Sequence, residues 1–113
     1  MKREHADICI IGAGPAGIFT ALSLLEEGDA RHIVLIDRGL PIERRHCPKA
    51  ETGRCVNCDP CRITTGFSGA GAFSDGKLSL SHEVGGDLPD LVGADLVERT
   101  IDRVDGLQLK FGA

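Results

Sequence analysis

The chain of 113 residues contains no Trp, no Tyr, one Met and only four Phe. So few rings leave no set of aromatic platforms on which successive bases would stack. Positive charge is not in excess either. Thirteen Lys+Arg stand against 17 Asp+Glu, a net charge of −4, and no long basic stripe interrupts that balance, so no dedicated nucleic-acid partner is expected. Long hydrophobic runs are also missing. The longest, ICIIGAGPAGIF at 8–19, is shorter than the roughly 20 apolar residues a membrane helix needs, and it is rich in glycine. The N-terminal MKREHADICIIG lacks an apolar segment followed by a cleavage site, which argues against a secretory signal. A cytoplasmic setting is the expectation, and there free or metal-bound thiols are favoured over a disulfide framework.

What is present points to one small α/β domain, because about 100–150 residues is the usual domain size. ADICII at 6–11 reads as a strand entering a glycine turn, with Cys9 expected as a small buried core residue. From Pro15 to about Glu27 the pattern is helical, with Ala21, Leu22, Leu24 and Leu25 as the apolar side and Gly28 as terminator. HIVLID at 32–37 is a second β-branched run without strict alternation, which suits a parallel strand covered on both faces. Strand, helix and strand within about 32 residues make a βαβ unit.

Residues 38–87 differ in kind. They hold three of the five prolines, more than half of the glycines and four of the five cysteines, and no helical period persists. SDGKLSLS at 74–81 is a candidate short strand. An amphipathic helix is expected over Pro89–Asp105, with Val97, Ile101 and Val104 on one side and Gly106 beyond its end. LQLKF at 107–111 reads as the start of another strand. Two confident strands do not finish a doubly wound sheet, so the expectation is a fragment of a longer protein whose remainder completes the domain.

GAGPAG at 12–17 fits G-x-G-x-x-G between a strand and a helix, with Asp37 standing 20 residues after Gly17. Gly12 permits the tight turn, Gly14 leaves room for a pyrophosphate, and Gly17 lets the helix approach the sheet. The pyrophosphate then meets unpaired N–H groups at the helix N-terminus, and Pro15 sits where the first-turn amide is dispensable. Asp37 is positioned to accept hydrogen bonds from the adenosine ribose, and an acid there disfavours a 2′-phosphate. The motif addresses the ADP half shared by NAD and FAD. In GFSGAGAFSDGK at 66–77, Gly66, Gly69 and Gly71 alternate with small residues, which lets backbone lie close to a flat or anionic ligand. The spacing before Lys77 is not that of a P-loop, and Asp75 with Lys77 also reads as an ordinary exposed pair.

The cysteines at 47, 55, 58 and 61 follow C-x7-C-x2-C-x2-C. Four thiolates suit structural Zn, although the two C-x2-C pairs with a longer arm between them are missing. The C-x2-C-x2-C portion is that of an iron–sulfur site without its C-x3-C-P ending. CVNC at 55–58 or CDPC at 58–61 supplies a redox dithiol format, with Arg54 and Arg62 nearby to favour thiolate. Thiols without special chemistry are the fourth alternative. His46 and His82 are weaker candidates for a chemical role.

With these residues in place, the chain resembles the N-terminal portion of a family of FAD-dependent dehydrogenases. These belong to the NAD(P)/FAD-dependent oxidoreductase group that includes glutathione reductase-like and geranylgeranyl reductase-like flavoproteins. The resemblance rests on IGAGPAGIFTALSL at 11–24, HIVLIDRG at 32–39, HCPK at 46–49, GRCVNCDPCRITTGFSGAGAFSDGKL at 53–78, VGGDLPDLVG at 84–93 and LKFGA at 109–113. The cysteine-to-GAGAFSDGKL block is the specific part. The resemblance implies an incomplete Rossmann-like FAD-binding domain over 1–113, with its Cys/Gly-rich segment at 46–77. It implies FAD contacts at Gly12, Gly14, Pro15, Ala16, Gly17, Asp37, Arg38, Gly69 and Gly71, with Asp37 where such flavoproteins more often carry Glu. It also implies an oxidoreductase with NAD(P)H as a possible electron donor and a small-molecule or thiol substrate that the resemblance does not identify. Competing expectations are a metal-stabilised nucleotide-binding or RNA-modification accessory module without flavin turnover, and an inert truncated product.

Overall fold

A computed structural model describes residues 3–112. The chain divides at Ser74 into two compact units, each taken by itself below.

The first unit is built on a β–α–β motif. Strand β1 (Ile8–Ile11) leads through the glycine turn into helix α1 (Pro15–Glu26), and the chain returns in strand β2 (Ile33–Ile36). The strands are parallel and paired Ile8 with Ile33, Cys9 with Val34, Ile10 with Leu35 and Ile11 with Ile36. Apolar β-branched side chains favour the extended backbone here. Proline at the first position of α1 fixes the helical φ where no amide partner is needed. Helix α1 ends where Gly28 takes a left-handed φ of 78°. Asp7 closes the other end of the sheet, accepting from the His32 N–H at 2.9 Å.

The βαβ expectation is therefore met as a generic two-stranded α/β unit, but the expectation of a sheet covered on both faces is not. Side chains alternate along a strand, and only Ile8 and Ile10 of β1 are half-buried, while Cys9 and Ile11 are exposed. Helix α1 packs on one face. On the opposite face Ile11 is 86 % exposed and its partner Ile36 is 48 % exposed. Cys9 is thus not a core residue, because its position in the alternation places it on the face that no helix covers.

Between 38 and 74 the backbone forms only short helical pieces. These are a 3-10 turn at Ile42–Arg44, helix α2 (Lys49–Thr52) and a 3-10 helix at Gly69–Phe73.

The second unit contains helices α3 (Leu88–Val92) and α4 (Ala94–Lys110), which pack against each other. Three expectations are corrected here. The single helix over Pro89–Asp105 is two, divided at Gly93, whose φ of 86° no helix accommodates. Helix α4 runs through Gly106 to Lys110, so LQLKF is helical and not a strand. A lone glycine costs a helix about 1 kcal/mol, and Leu, Gln and Lys beyond it are all good helix formers. No strand forms over 74–81. There the Lys77 N–H bonds the Asp75 carboxylate at 3.3 Å and Gly76 has φ of 76°, a local turn that competes with extended pairing. The predicted stripe of Val97, Ile101 and Val104 is on the less exposed side of α4, with Val97 buried. Among the described residues no helix is long and apolar enough to cross a membrane.

Candidate functional site

The turn between β1 and α1 is shaped by its glycines. Gly12 has φ of 102° and donates its N–H to the Ile36 carbonyl at 2.7 Å, tying the strand ends together. A Cβ on Gly14 would meet nothing within 4 Å, so space is open above it. A Cβ on Gly17 would collide with the Gly12 carbonyl oxygen and lie 3.3 Å from Leu35 Cδ1. Close helix–strand approach is therefore possible only with glycine at 17. Gly14 caps α1 with no side-chain hydrogen bond, and the first-turn amides of Ala16 and Gly17 have no preceding helical carbonyl to bond. Both the exposed amides and the helix dipole suit an anion at this end.

Asp37 stands at the end of β2, as the spacing predicts. Its Oδ2 accepts the Ala13 N–H at 2.9 Å and its Oδ1 accepts the Gly39 N–H at 2.8 Å. These two bonds, the Ala13 one first, hold its carboxyl below the ordinary Asp range. The side chain thus fixes the glycine turn against the exit of β2. Because its folded pKa is depressed, its contribution to stability is fully present above the unfolded value of about 3.9. That contribution is lost as pH falls through the lower folded value. Asp37→Asn, which replaces one acceptor oxygen by an NH2 group, is expected to cost about 1 kcal/mol at pH 7 and to flatten the acid limb of a stability–pH profile. Urea unfolding of both proteins between pH 2 and 7 measures this.

The second glycine-rich segment lies against the turn. The Ser68 N–H donates to the Ala13 carbonyl at 2.7 Å, and a Cβ on Gly69 would lie 3.4 Å from Gly14 Cα and 3.6 Å from Pro15 Cδ. Residues 12–15 and 66–69, separated by half the chain, form one surface. Gly71 follows inside the 3-10 helix. Where β2 exits, a Cβ on Gly39 would collide with the backbone of Thr65 and Gly66, so the two segments cross at the closest approach that backbone allows.

The residue that holds this crossing together is Arg45, which the sequence did not single out. It is 5 % exposed, the one buried charged side chain among the described residues. Its Nε donates to the Arg62 carbonyl at 3.0 Å, Nη1 to Phe67 at 2.6 Å and Nη2 to Ile63. The guanidinium also stacks 4.8 Å from the Phe73 ring centroid. Nothing in the sequence separates it from the exposed Arg44 beside it, because the segment has no period to reveal an inward face.

Arg38 follows Asp37 and pairs with Asp59 at 2.9 Å, both largely exposed. All five cysteines are free. Cys47 and Cys58 are half-buried and Cys55 and Cys61 exposed. Among the described residues no three His, Cys, Asp or Glu are grouped to share one ion. The four cysteines of the cluster are not gathered round a point. The Cys61 thiol is held below its ordinary pKa by the N–H groups of Thr64 and Ile63 and by the Thr64 side chain. His46 meets Glu51 at 3.1 Å. In the second unit His82 meets Glu98 at 3.0 Å and Lys77 meets Asp75 at 3.0 Å. The last is an exposed surface pair.

No family model, no curated protein and no solved structure matches the chain.

Proposed function

We propose that this chain supplies the ADP-binding portion of an FAD site in an oxidoreductase of the Rossmann-like flavoprotein type. The observation that carries the proposal is the joint surface of residues 12–17 and 66–71. There an open Gly14, unpaired first-turn amides and a second glycine segment bonded to Ala13 converge at the end of a parallel strand. A doubly anionic pyrophosphate suits such a surface for two reasons. Backbone without side chains permits close approach, and the helix end offers N–H donors without the cost of desolvating a lysine. Gly12, Gly14, Ala16 and Gly17 would hold the pyrophosphate. Asp37 would set the turn and present its remaining lone pairs to the ribose. Gly69 and Gly71 would border the more distal part of the cofactor. When bound, FAD would supply hydride or electron acceptance; the residues described here bind and orient it. NAD(P)H as donor, a small-molecule or thiol substrate and a cytoplasmic location belong to the same proposal.

The test is retention of flavin. Protein incubated with FAD and desalted should keep absorption bands near about 375 and 450 nm, which are those of the oxidised cofactor itself. Addition of NADH or NADPH under anaerobic conditions should bleach them. Desalted protein without flavin bands that binds RNA would instead support a nucleotide-binding accessory module and overturn the proposal.

A further inference from the structure

Beyond the end of β2 the first unit has an open cleft of about 460 Å³ whose walls include Arg38, Arg45, Cys58, Asp59, Arg62 and Thr65. Its charge is unbalanced. Three arginines and one acidic residue line it, and that acid, Asp59, is already engaged by Arg38 at 2.9 Å. The Arg62 side chain is exposed and has no hydrogen-bond or ion-pair partner among the described residues. Arg45 is the decisive group. It is 5 % exposed, its hydrogen-bond partners are carbonyls, one face meets the Phe73 ring, and the Asp37 carboxylate acts on it through space without forming an ion pair. A guanidinium carries five N–H donors, and three of Arg45's bond carbonyls, leaving two for another acceptor. Buried charges are normally paired, and this one lines an open cavity.

We infer that the cavity is a binding site for a phosphomonoester dianion, held by Arg45 and Arg62 with Arg38 at its rim. Arginines outnumber the acid in the lining, which suits an anion, and planar guanidiniums engage phosphate oxygens in pairs. The Thr65 hydroxyl can donate to a remaining oxygen. The volume exceeds that of a bare phosphate several times over, given about 30 Å³ for a water, so there is room for an organic group on the phosphate. This inference stands on the cavity and not on the flavin proposal.

Two sources supply such a group: a ribose phosphate on a nucleotide seated at the glycine turn, or a separate small phosphoester. The geometry admits the first, although an acid at position 37 disfavours it on sequence grounds. Both oxygens of Asp37 are turned to the N–H groups of Ala13 and Gly39.

Calorimetric titration with inorganic phosphate, ribose 5-phosphate, ADP and adenosine 2′,5′-bisphosphate tests the site. Saturable phosphate binding is expected, weakened about tenfold by Arg62→Gln, the effect of one lost charge-assisted pair, and further by added salt. Arg62 is exposed, so the variant should fold, which circular dichroism checks. If the 2′,5′-bisphosphate binds more tightly than ADP and Arg62→Gln erases the difference, the source is the nucleotide. If ribose 5-phosphate binds in the presence of saturating ADP with the same sensitivity, it is a separate phosphoester. No saturable binding of inorganic phosphate, or affinities unchanged in both Arg62→Gln and Arg38→Gln, overturns the inference. Loss of ADP binding in Gly14→Ala with phosphate binding retained would separate this site from the glycine turn.

Discussion

Gly17→Ala is expected to destabilise the first unit by about 2 kcal/mol, whereas Gly14→Ala, three residues earlier, should leave stability within about 0.5 kcal/mol of the parent. The two substitutions add the same methyl group to the same turn. At 17 the new Cβ would collide with the Gly12 carbonyl and stand 3.1 Å from its carbon. That neighbour is backbone held by the Gly12–Ile36 hydrogen bond, so it cannot swing aside. Overpacking of this kind costs about 3 kcal/mol, of which the better helix propensity of alanine returns up to about 1. At 14 the backbone has φ of −77° and ψ of −175°, which alanine adopts without strain, and the Cβ meets nothing. The proposed pyrophosphate site is then blocked without loss of fold, and affinity for ADP should fall at least about tenfold, the effect of roughly 1.4 kcal/mol. Chemical denaturation and ADP titration of both variants measure the split. Equal stability of the two would overturn the packing argument, and undiminished ADP affinity in Gly14→Ala would overturn the proposed site.

Arg45→Met is the second substitution with a large expected effect, about 3 kcal/mol of destabilisation centred on residues 62–73. Methionine fills most of the volume but leaves the carbonyls of Arg62, Ile63 and Phe67 without their donor. A fully buried unsatisfied acceptor costs about 1–3 kcal/mol, and these carbonyls are only part-buried, so relaxation toward water recovers part of the sum. Arg45→Lys should restore little, because one ammonium cannot reproduce a planar fork directed at three carbonyls. The segment that loosens includes Ser68, whose N–H bonds Ala13. Hydrogen exchange at Ser68 should therefore accelerate while the amides of α1 keep their protection. Uniform loss of protection across the unit would show instead that Arg45 supports the whole fold and not the crossing alone.

These effects mark the division between what was legible in the chain and what was not. The β–α–β unit was readable because two β-branched runs, a glycine turn and a proline-led helix are local signals, each decided within a few residues. The turn at Gly12 and the close approach at Gly17 follow from their spacing for the same reason. The end of α4 is not legible in the sequence because Gly106 is a weak terminator when helix-forming residues follow it. Cys9 was misplaced because burial depends on what covers a face, which no strand sequence states. Whether four closely spaced cysteines converge is likewise a matter of backbone path, and here they do not.

The sequence by itself thus determined the parallel unit, its turn and the acid at the end of β2, since these depend on backbone propensity and near neighbours. Only the tertiary structure decided that residues 66–69 lie against the turn and that Asp37 is directed to Ala13 and Gly39. It alone decided that Arg45, rather than Arg44, is buried beside a cationic cavity. Apart from the local Asp37–Gly39 bond, those outcomes join positions about 20 to 55 residues apart, and at least one partner in each bond is a backbone carbonyl or amide of a kind nearly every residue carries, so side-chain identity does not announce them.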